Sequence, residues 1–385
     1  MGKWDQWDES AVKVRPNKKG SRPRTKETPD YPDAEVGRVV QVDRGRFTVS
    51  MGLEADGSER VVTAVRAKAL RRTPVVPGDL VALVGDTSGA DGTLARLVRI
   101  EERTSLLRRS ADDTDDAERV IVANADQLLI VVAAADPEPR TGFIDRALVA
   151  SYEAGIQPLL LITKADLATD PQDPAGLVSH YAELDLPTVI SGFSATEETS
   201  APQGSESAPE VALSADAIAR LRGLLAGHVT ALIGHSGVGK STMVNALTGA
   251  DRAVGGVNAV TGRGRHTSSS AVALNLEPRG DLHEETARRS WVIDTPGVRS
   301  FGLAHVDPDD VVAAFEDLAP GTAECEPGCA HQSPAGGCAL DAYVDSGAAG
   351  EHGPARLASL RKLLASVTGS EDDFGHKQLG MTPPA

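Results

Sequence analysis

Gly234, Gly239, Lys240 and Ser241 stand in the stretch GHSGVGKSTMVNALTG (234–249) with the spacing G-x-x-x-x-G-K-[ST]. That spacing suits a phosphate chain. Glycines let the backbone N–H groups of Gly234, His235, Ser236, Gly237, Val238 and Gly239 wrap phosphate at a helix N-terminus. Lys240 adds a point charge to the outer phosphates, the Ser241 hydroxyl can ligate Mg²⁺, and Thr242 follows in the same turn. The competing reading is a plain glycine turn. The apolar VTALIG before the loop and the helical TMVNALTG after it supply the strand–loop–helix setting that a phosphate loop requires.

Three further stretches could complete a nucleotide site. In WVIDTPG, Asp294 ends an apolar run and is placed to hold Mg²⁺ through water, and the Gly297 N–H could meet a γ-phosphate. GRGRHTSSS (262–270) is too polar for core. It reads either as an exposed loop or as a switch segment whose Thr267 or Ser268 joins Mg²⁺ when the γ-phosphate is present. TKAD (163–166) follows the apolar LLLI. Asp166 can accept hydrogen bonds from guanine N1–H and the exocyclic amine, the Lys164 stem can lie over the base, and Thr163 and Ala165 complete the turn. Taken alone, the tetrapeptide could equally cap a surface helix.

A fourth cluster has different chemistry. All three cysteines fall in CEPGCAHQSPAGGC, with one histidine: Cys325, Cys329, His331 and Cys338. Three thiolates and an imidazole make a closed tetrahedral Zn²⁺ set, which implies a structural ion. An odd, clustered trio argues against a disulfide framework. Three unligated thiols are the alternative.

The order of the nucleotide motifs is unusual, because TKAD precedes the phosphate loop by about seventy residues. The sequence TKAD, Ser191-Gly192, GHSGVGKS, RHTSS, DTPG resembles the circularly permuted GTPases. With VIVANADQLLIVVAAADPEP, GFIDRALV, PLLLITKADL, GRGRHT and VIDTPGVRSFGL, a barrel ahead and a Cys/His cluster behind, it resembles the ribosome-small-subunit-dependent GTPase A family from about residue 36 to 365. The resemblance implies GTP hydrolysis with Mg²⁺, stimulated by the small ribosomal subunit. It also implies a role in late subunit maturation that releases assembly factors and checks the decoding region, contacts with rRNA, and one structural Zn²⁺. The base-side loop is Ser191-Gly192 or Ser194-Ala195.

Departures from the family pattern carry their own expectations. The gaps within the cysteine cluster are three and six residues rather than four and five, with the total span unchanged. Thr163 stands where GTPases usually have Asn, so amide contacts to the base and the phosphate loop are expected to weaken and discrimination to rest on Asp166. Val298 follows Gly297, so the water-orienting glutamine of Ras-like enzymes is absent and intrinsic turnover should be slow. His266 matches the histidine of the family's GxHTT pattern and is the candidate to position the nucleophile. With Lys240 and Thr267 it forms the expected catalytic group.

The elements that must position these residues can be read from texture. Residues 1–35 are polar and basic, and AVKVRPNKKGSRPRTK (11–26) holds seven basic residues and no acid. The reading for this segment is a disordered tail. From 36 to 109, β-branched runs alternate with turn signals, the pattern of a small five-stranded barrel of OB-fold type. SADDTDDAE (110–118) reads as a linker. Between 110 and 308, QLLIVVAAA, PLLLIT, PTVI, VTALIG and WVID alternate with helical stretches, which indicates an α/β G-domain with a mostly parallel sheet. Residues 196–210 read as a flexible insertion. Residues 309–370 form the helical zinc-binding domain, closing with RLASLRKLLASV, and 371–385 a loose tail.

The formal charge is −16, unevenly spread: residues 1–110 carry 21 Lys/Arg against 16 Asp/Glu, and the remainder 18 against 39. A basic front end allows an RNA partner while the rest keeps the chain soluble. Aromatics are 3% of residues, so phosphate contacts should outweigh base stacking. No apolar run reaches 18 residues and MGKWDQWDES has no signal-peptide core, so the expectation is a cytoplasmic protein without membrane contact, monomeric off the ribosome. Competing functions are an RNA-binding module tuned by nucleotide, a permuted GTPase of the large subunit, and an ATPase.

Overall fold

The β-branched runs at the front become five strands: β1 (Glu35–Asp43), β2 (Arg46–Leu53), β3 (Glu59–Arg66), β4 (Leu80–Gly85) and β5 (Ala95–Ile100). The computed structural model describes residues 31–54, 58–70, 73–110, 118–195, 211–250, 271–278, 282–295, 308–333, 337–350 and 352–368. The strands lie in the order β1-β2-β3-β5-β4, and β4 returns to pair with β1, which closes the barrel. Only the β3–β5 pairing is parallel among these strands. Val39, Phe47, Val49, Val62, Leu83 and Leu97 fill the interior.

A two-stranded ribbon follows, β6 (Leu106–Ser110) paired antiparallel with β7 (Glu118–Ala123). The acidic stretch expected as a linker therefore lies between paired strands, with 111–117 outside the described residues. The last barrel strand ends at Ile100.

The apolar runs of the middle region are β8 (Gln127–Ala133), β9 (Gln157–Thr163), β10 (Thr188–Ile190), β13 (Val229–Ile233) and β15 (Trp291–Asp294). A small hairpin, β11 (Phe193–Ala195) with β12 (Val211–Leu213), flanks the insertion 196–210, which lies outside the described residues. With β14 (Val272–Asn275) the sheet order is β10-β9-β8-β13-β15-β14, all parallel except β14. Helices cover both faces, so the strands are apolar throughout rather than alternating. All seven residues of β8 are buried. Leu128, Ile130 and Val132 join one core with Ile144 and Leu148 of α1 (Thr141–Glu153). Leu129 and Val131 face the other core. There they meet Leu221 and Leu225 of α3 (Ala215–Leu225) and Met243, Val244 and Leu247 of α4 (Lys240–Thr248). The short α2 (Leu177–His180) lies between β9 and β10, and α5 (Glu284–Arg289) precedes β15.

Two joints link these regions. Barrel strand β1 pairs antiparallel with β14 at Gln41 and Val272, so barrel and parallel sheet share one continuous eleven-stranded sheet. The C-terminal helices α6 (Pro308–Ala313), α7 (Leu340–Asp345) and α8 (Gly353–Thr368) contribute Val311, Leu340, Leu360 and Leu364 to the same core as α1. Arg356 of α8 reaches the carbonyl of Glu183, in the turn before β10, at 2.5 Å. The connection from Asp294, including Phe301, lies outside the described residues.

Candidate guanine-nucleotide site and a Cys/His cluster

The carboxyl ends of β8, β9, β13 and β15 meet at one edge of the sheet, where α/β proteins open a ligand crevice. β13 ends at Ile233 and α4 begins at Lys240, so GHSGVGK is the loop between them. Gly234 is held at φ +155°, and a Cβ there would lie 2.3 Å from the Val131 carbonyl oxygen of β8. Only glycine fits. Gly239, at φ +93°, caps α4 in a left-handed conformation, and its successor Lys240 opens the helix with Ser241 and Thr242 in the first turn. The Lys240 ammonium donates to the carbonyls of Gly234 and His235, the latter at 2.8 Å. Burial pulls its pKa down, and the nearby Asp294 carboxylate opposes that shift. His235 packs its ring against Phe143 of α1 at 4.5 Å between centroids.

β9 delivers TKAD beside this loop. Thr163 is fully buried, and its hydroxyl donates to the Val238 carbonyl at 2.7 Å, with the Val132 carbonyl at 3.2 Å. The expectation of a weakened contact with the phosphate loop is corrected here: a short hydroxyl reaches the loop because β9 and the loop approach closely. Lys164 takes a left-handed conformation, φ 55°, and its ammonium is bonded to the Asp136 carbonyl. Ala165 and Asp166 enter a 3₁₀ turn, and the Ala165 N–H donates to the Ser191 carbonyl at 3.1 Å. A Cβ on Gly192 would sit 3.5 Å from Asp166 Oδ1. Ser191-Gly192 therefore lies against Asp166, whereas Ser194 and Ala195 belong to β11.

Asp294 is buried at the end of β15, aligned with Leu232 of β13. Thr295 next to it donates its hydroxyl to the Leu232 carbonyl, which fixes the strand end. A carboxylate at this strand end and the Ser241 hydroxyl at the head of α4 are hard oxygen donors, the type that suits Mg²⁺. Thr267, Ser268, His266, Gly297 and Val298 lie outside the described residues.

On the C-terminal side, the ligand atoms of Cys325, Cys329, His331 and Cys338 all lie within 4.8 Å of one another. Cys325 Sγ and His331 Nδ1 are 3.6 Å apart. Tetrahedral coordination at ~2.3 Å for sulfur and ~2.0 Å for nitrogen separates such a pair by about 3.5 Å. The donor set suits a bound ion, and the Cys325–His331 distance is that of a coordinated pair. Burial, then the neighbouring thiols, push the Cys329 thiol up, which is the repulsion a cation would relieve. The ring orientation is set from outside: Asp309 Oδ1 lies 3.3 Å from His331 Nε2. Arg361 of α8 binds Asp341 and approaches Cys338 Sγ at 3.9 Å. Sequence reasoning did not single out Asp309, Arg361, Phe143 or the Asp136 carbonyl. The acidic run DPDD (307–310) at the start of α6 was the one available signal.

Comparison with known proteins agrees with this geometry. Residues 100–304 match the family model described as RsgA GTPase. "Small ribosomal subunit biogenesis GTPase RsgA" of Pseudomonas aeruginosa (strain LESB58) is 34% identical over 355 residues, covering 91% of this chain and 93% of the relative. The protein of the same name from Azotobacter vinelandii is 35% identical over 327 residues, 83% of each chain. Among solved structures, YloQ, a circularly permuted GTPase, superposes with a TM-score of 0.54 at 20% identity, covering 89% of this chain and 98% of that one. YjeQ from Thermotoga maritima gives 0.53 at 22% identity, covering 87% and 99%. The solved structures share the fold: a G-domain sheet in which the base-side strands β8, β9 and β10 precede the phosphate-loop strand β13 in the chain. By family model and by relatives matched over nearly their whole length, this chain belongs to the RsgA GTPase family and is a GTP hydrolase.

Proposed function

We propose that this GTPase acts on the small ribosomal subunit during its late maturation and hydrolyses GTP when the subunit stimulates it. One observation carries the reading. The match to a protein named for small-subunit biogenesis runs over 91% of this chain, so it takes in the barrel and the Cys/His region as well as the nucleotide site.

Each part then has a role. Asp166 reads the guanine N1–H and amine, with Lys164 over the base and Ser191-Gly192, rather than Ser194-Ala195, as the neighbouring loop. The backbone from Gly234 to Gly239 cradles the phosphates, and Lys240 leaves its carbonyl partners to meet the outer ones. Ser241, Asp294 and Thr267 would hold Mg²⁺, which when bound neutralises charge on the β- and γ-phosphates. Gly297 meets the γ-phosphate, and His266 positions the attacking water in place of the glutamine that Val298 replaces.

The closed five-stranded barrel, in the order β1-β2-β3-β5-β4, supports reading it as an OB-fold, a fold whose strand face and loops commonly bind RNA. With the basic segment 11–26 it grips rRNA. Cys325, Cys329, His331 and Cys338 hold one structural Zn²⁺. The assignment of residues 36–109 to the barrel, 110–308 to the G-domain and 309–370 to the zinc-binding region follows from these roles. The protein works in the cytoplasm, as a monomer off the ribosome. Among the described residues no helix is long and apolar enough to cross a membrane.

GTP turnover with purified small subunits, large subunits or neither tests the proposal. Stimulation by small subunits alone is the expected result; equal turnover in all three would overturn it.

A further inference from the structure

We infer that Thr163 braces the phosphate loop and reads no atom of the base, so that N7 of the bound guanine is unread from this position. The inference rests on the guanine-site reading above and refines it.

A threonine hydroxyl carries a single hydrogen. Here the Val238 carbonyl takes it at 2.7 Å, with the Val132 carbonyl next at 3.2 Å. The side chain is fully buried, beneath a loop that passes close by: a Cβ on Gly239 would sit 3.8 Å from Thr163 Cγ2. Val238 is itself buried. The peptide that Thr163 holds runs from the Val238 carbonyl to the Gly239 N–H. A trans peptide is planar with its C=O and N–H opposed, so a carbonyl drawn down to Thr163 sends the Gly239 N–H to the other side. One hydroxyl thus fixes the direction of one phosphate-facing donor. An asparagine, with two N–H hydrogens, can serve both the loop and a base acceptor. Thr163 cannot do both. N7 is an acceptor in guanine and adenine alike, so leaving it unread costs affinity but not the choice between purines. That choice falls to Asp166.

Titration of the full-length protein with GDP and with 7-deaza-GDP, in which a C–H replaces N7, tests this directly. Wild type should bind the two within about 2-fold of each other. Thr163→Val should weaken both equally, by about 5-fold, as for loss of one buried hydrogen bond. Thr163→Ser, which keeps the hydroxyl, should stay within about 2-fold of wild type. Thr163→Asn should discriminate against 7-deaza-GDP by about 3- to 10-fold. Wild type binding 7-deaza-GDP five or more times more weakly than GDP would overturn the inference. So would a folded Thr163→Val with unchanged affinities. If wild type bound no guanine nucleotide at all, the site reading would fall first and the brace with it.

Discussion

Arg356 holds Asp317 with two hydrogen bonds, Nε to Oδ2 at 2.6 Å and an NH2 nitrogen to Oδ1 at 2.8 Å. The same guanidinium lies 5.1 Å from the Phe315 ring centroid and donates to the Glu183 carbonyl. One side chain of α8 thus joins the C-terminal helices to the base-side half of the G-domain.

Arg356→Ala should lower stability by about 1–3 kcal/mol, since it removes charge-assisted bonds that are only partly shielded from water. Urea denaturation of the variant measures this. An unchanged midpoint would show that α1 and α8 pack adequately without the clasp.

Gly234→Ala should abolish tight nucleotide binding, lowering GDP affinity at least 10-fold, because the new methyl meets the Val131 carbonyl at 2.3 Å. Val131 lies within β8 and Gly234 directly follows β13, its hydrogen-bonded neighbour, so neither can retreat cheaply. The strain should also cost about 1–3 kcal/mol of stability. Calorimetric titration with GDP decides the first part.

Asp166→Asn should shift preference from guanine toward xanthine nucleotides. The amide presents a donor where the guanine amine also donates, whereas xanthine offers a carbonyl there. Competition between GTP and xanthosine triphosphate reads the switch, and a variant with unaltered GTP preference would remove Asp166 from the base site.

Cys329→Ala should lose stoichiometric zinc and lower the thermal transition, since metal binding in such a site is folding energy. The α6–α8 core is shared with α1, so the transition should broaden for the whole chain rather than for an independent tail. GDP affinity should stay within about 3-fold, because the phosphate loop sits on the other strands. Elemental analysis of wild type without zinc would refute the ion assignment.

His266→Ala should leave GTP affinity and GTP-dependent subunit association near normal while subunit-stimulated hydrolysis falls by roughly 10- to 1,000-fold. Losing a positioning group costs turnover rather than binding. A variant turning over at the stimulated wild-type rate would leave the nucleophile to be held by the ribosome.

The parallel strands were legible because burial on both faces writes them as unbroken apolar runs, as in QLLIVVA. The strand–loop–helix turn from Gly234 to Lys240 was legible because its backbone demands glycine at fixed offsets. What the sequence concealed were contacts between distant positions: Thr163 with Val238 across 75 residues, Arg356 with Glu183 across 173, Asp309 with His331, and Gln41 opposite Val272. Such pairs have no period and no local composition to reveal them. The β6–β7 ribbon was hidden for another reason. Its acidic middle resembles a linker, and the pairing of Leu107 with Val122 emerges only when both strands are in place.

Permuting the strands also reorders how the sheet is made. β8, β9 and β10 are neighbours in the sheet and consecutive in the growing chain, so the half of the sheet that carries TKAD can assemble before the first residue of the GHSGVGK loop has been synthesised. Until β13 arrives, β8 offers an open edge of backbone donors and acceptors flanked by Leu128–Val132. The nascent protein therefore passes through an interval as an unfinished half-sheet whose most apolar strand is its exposed border.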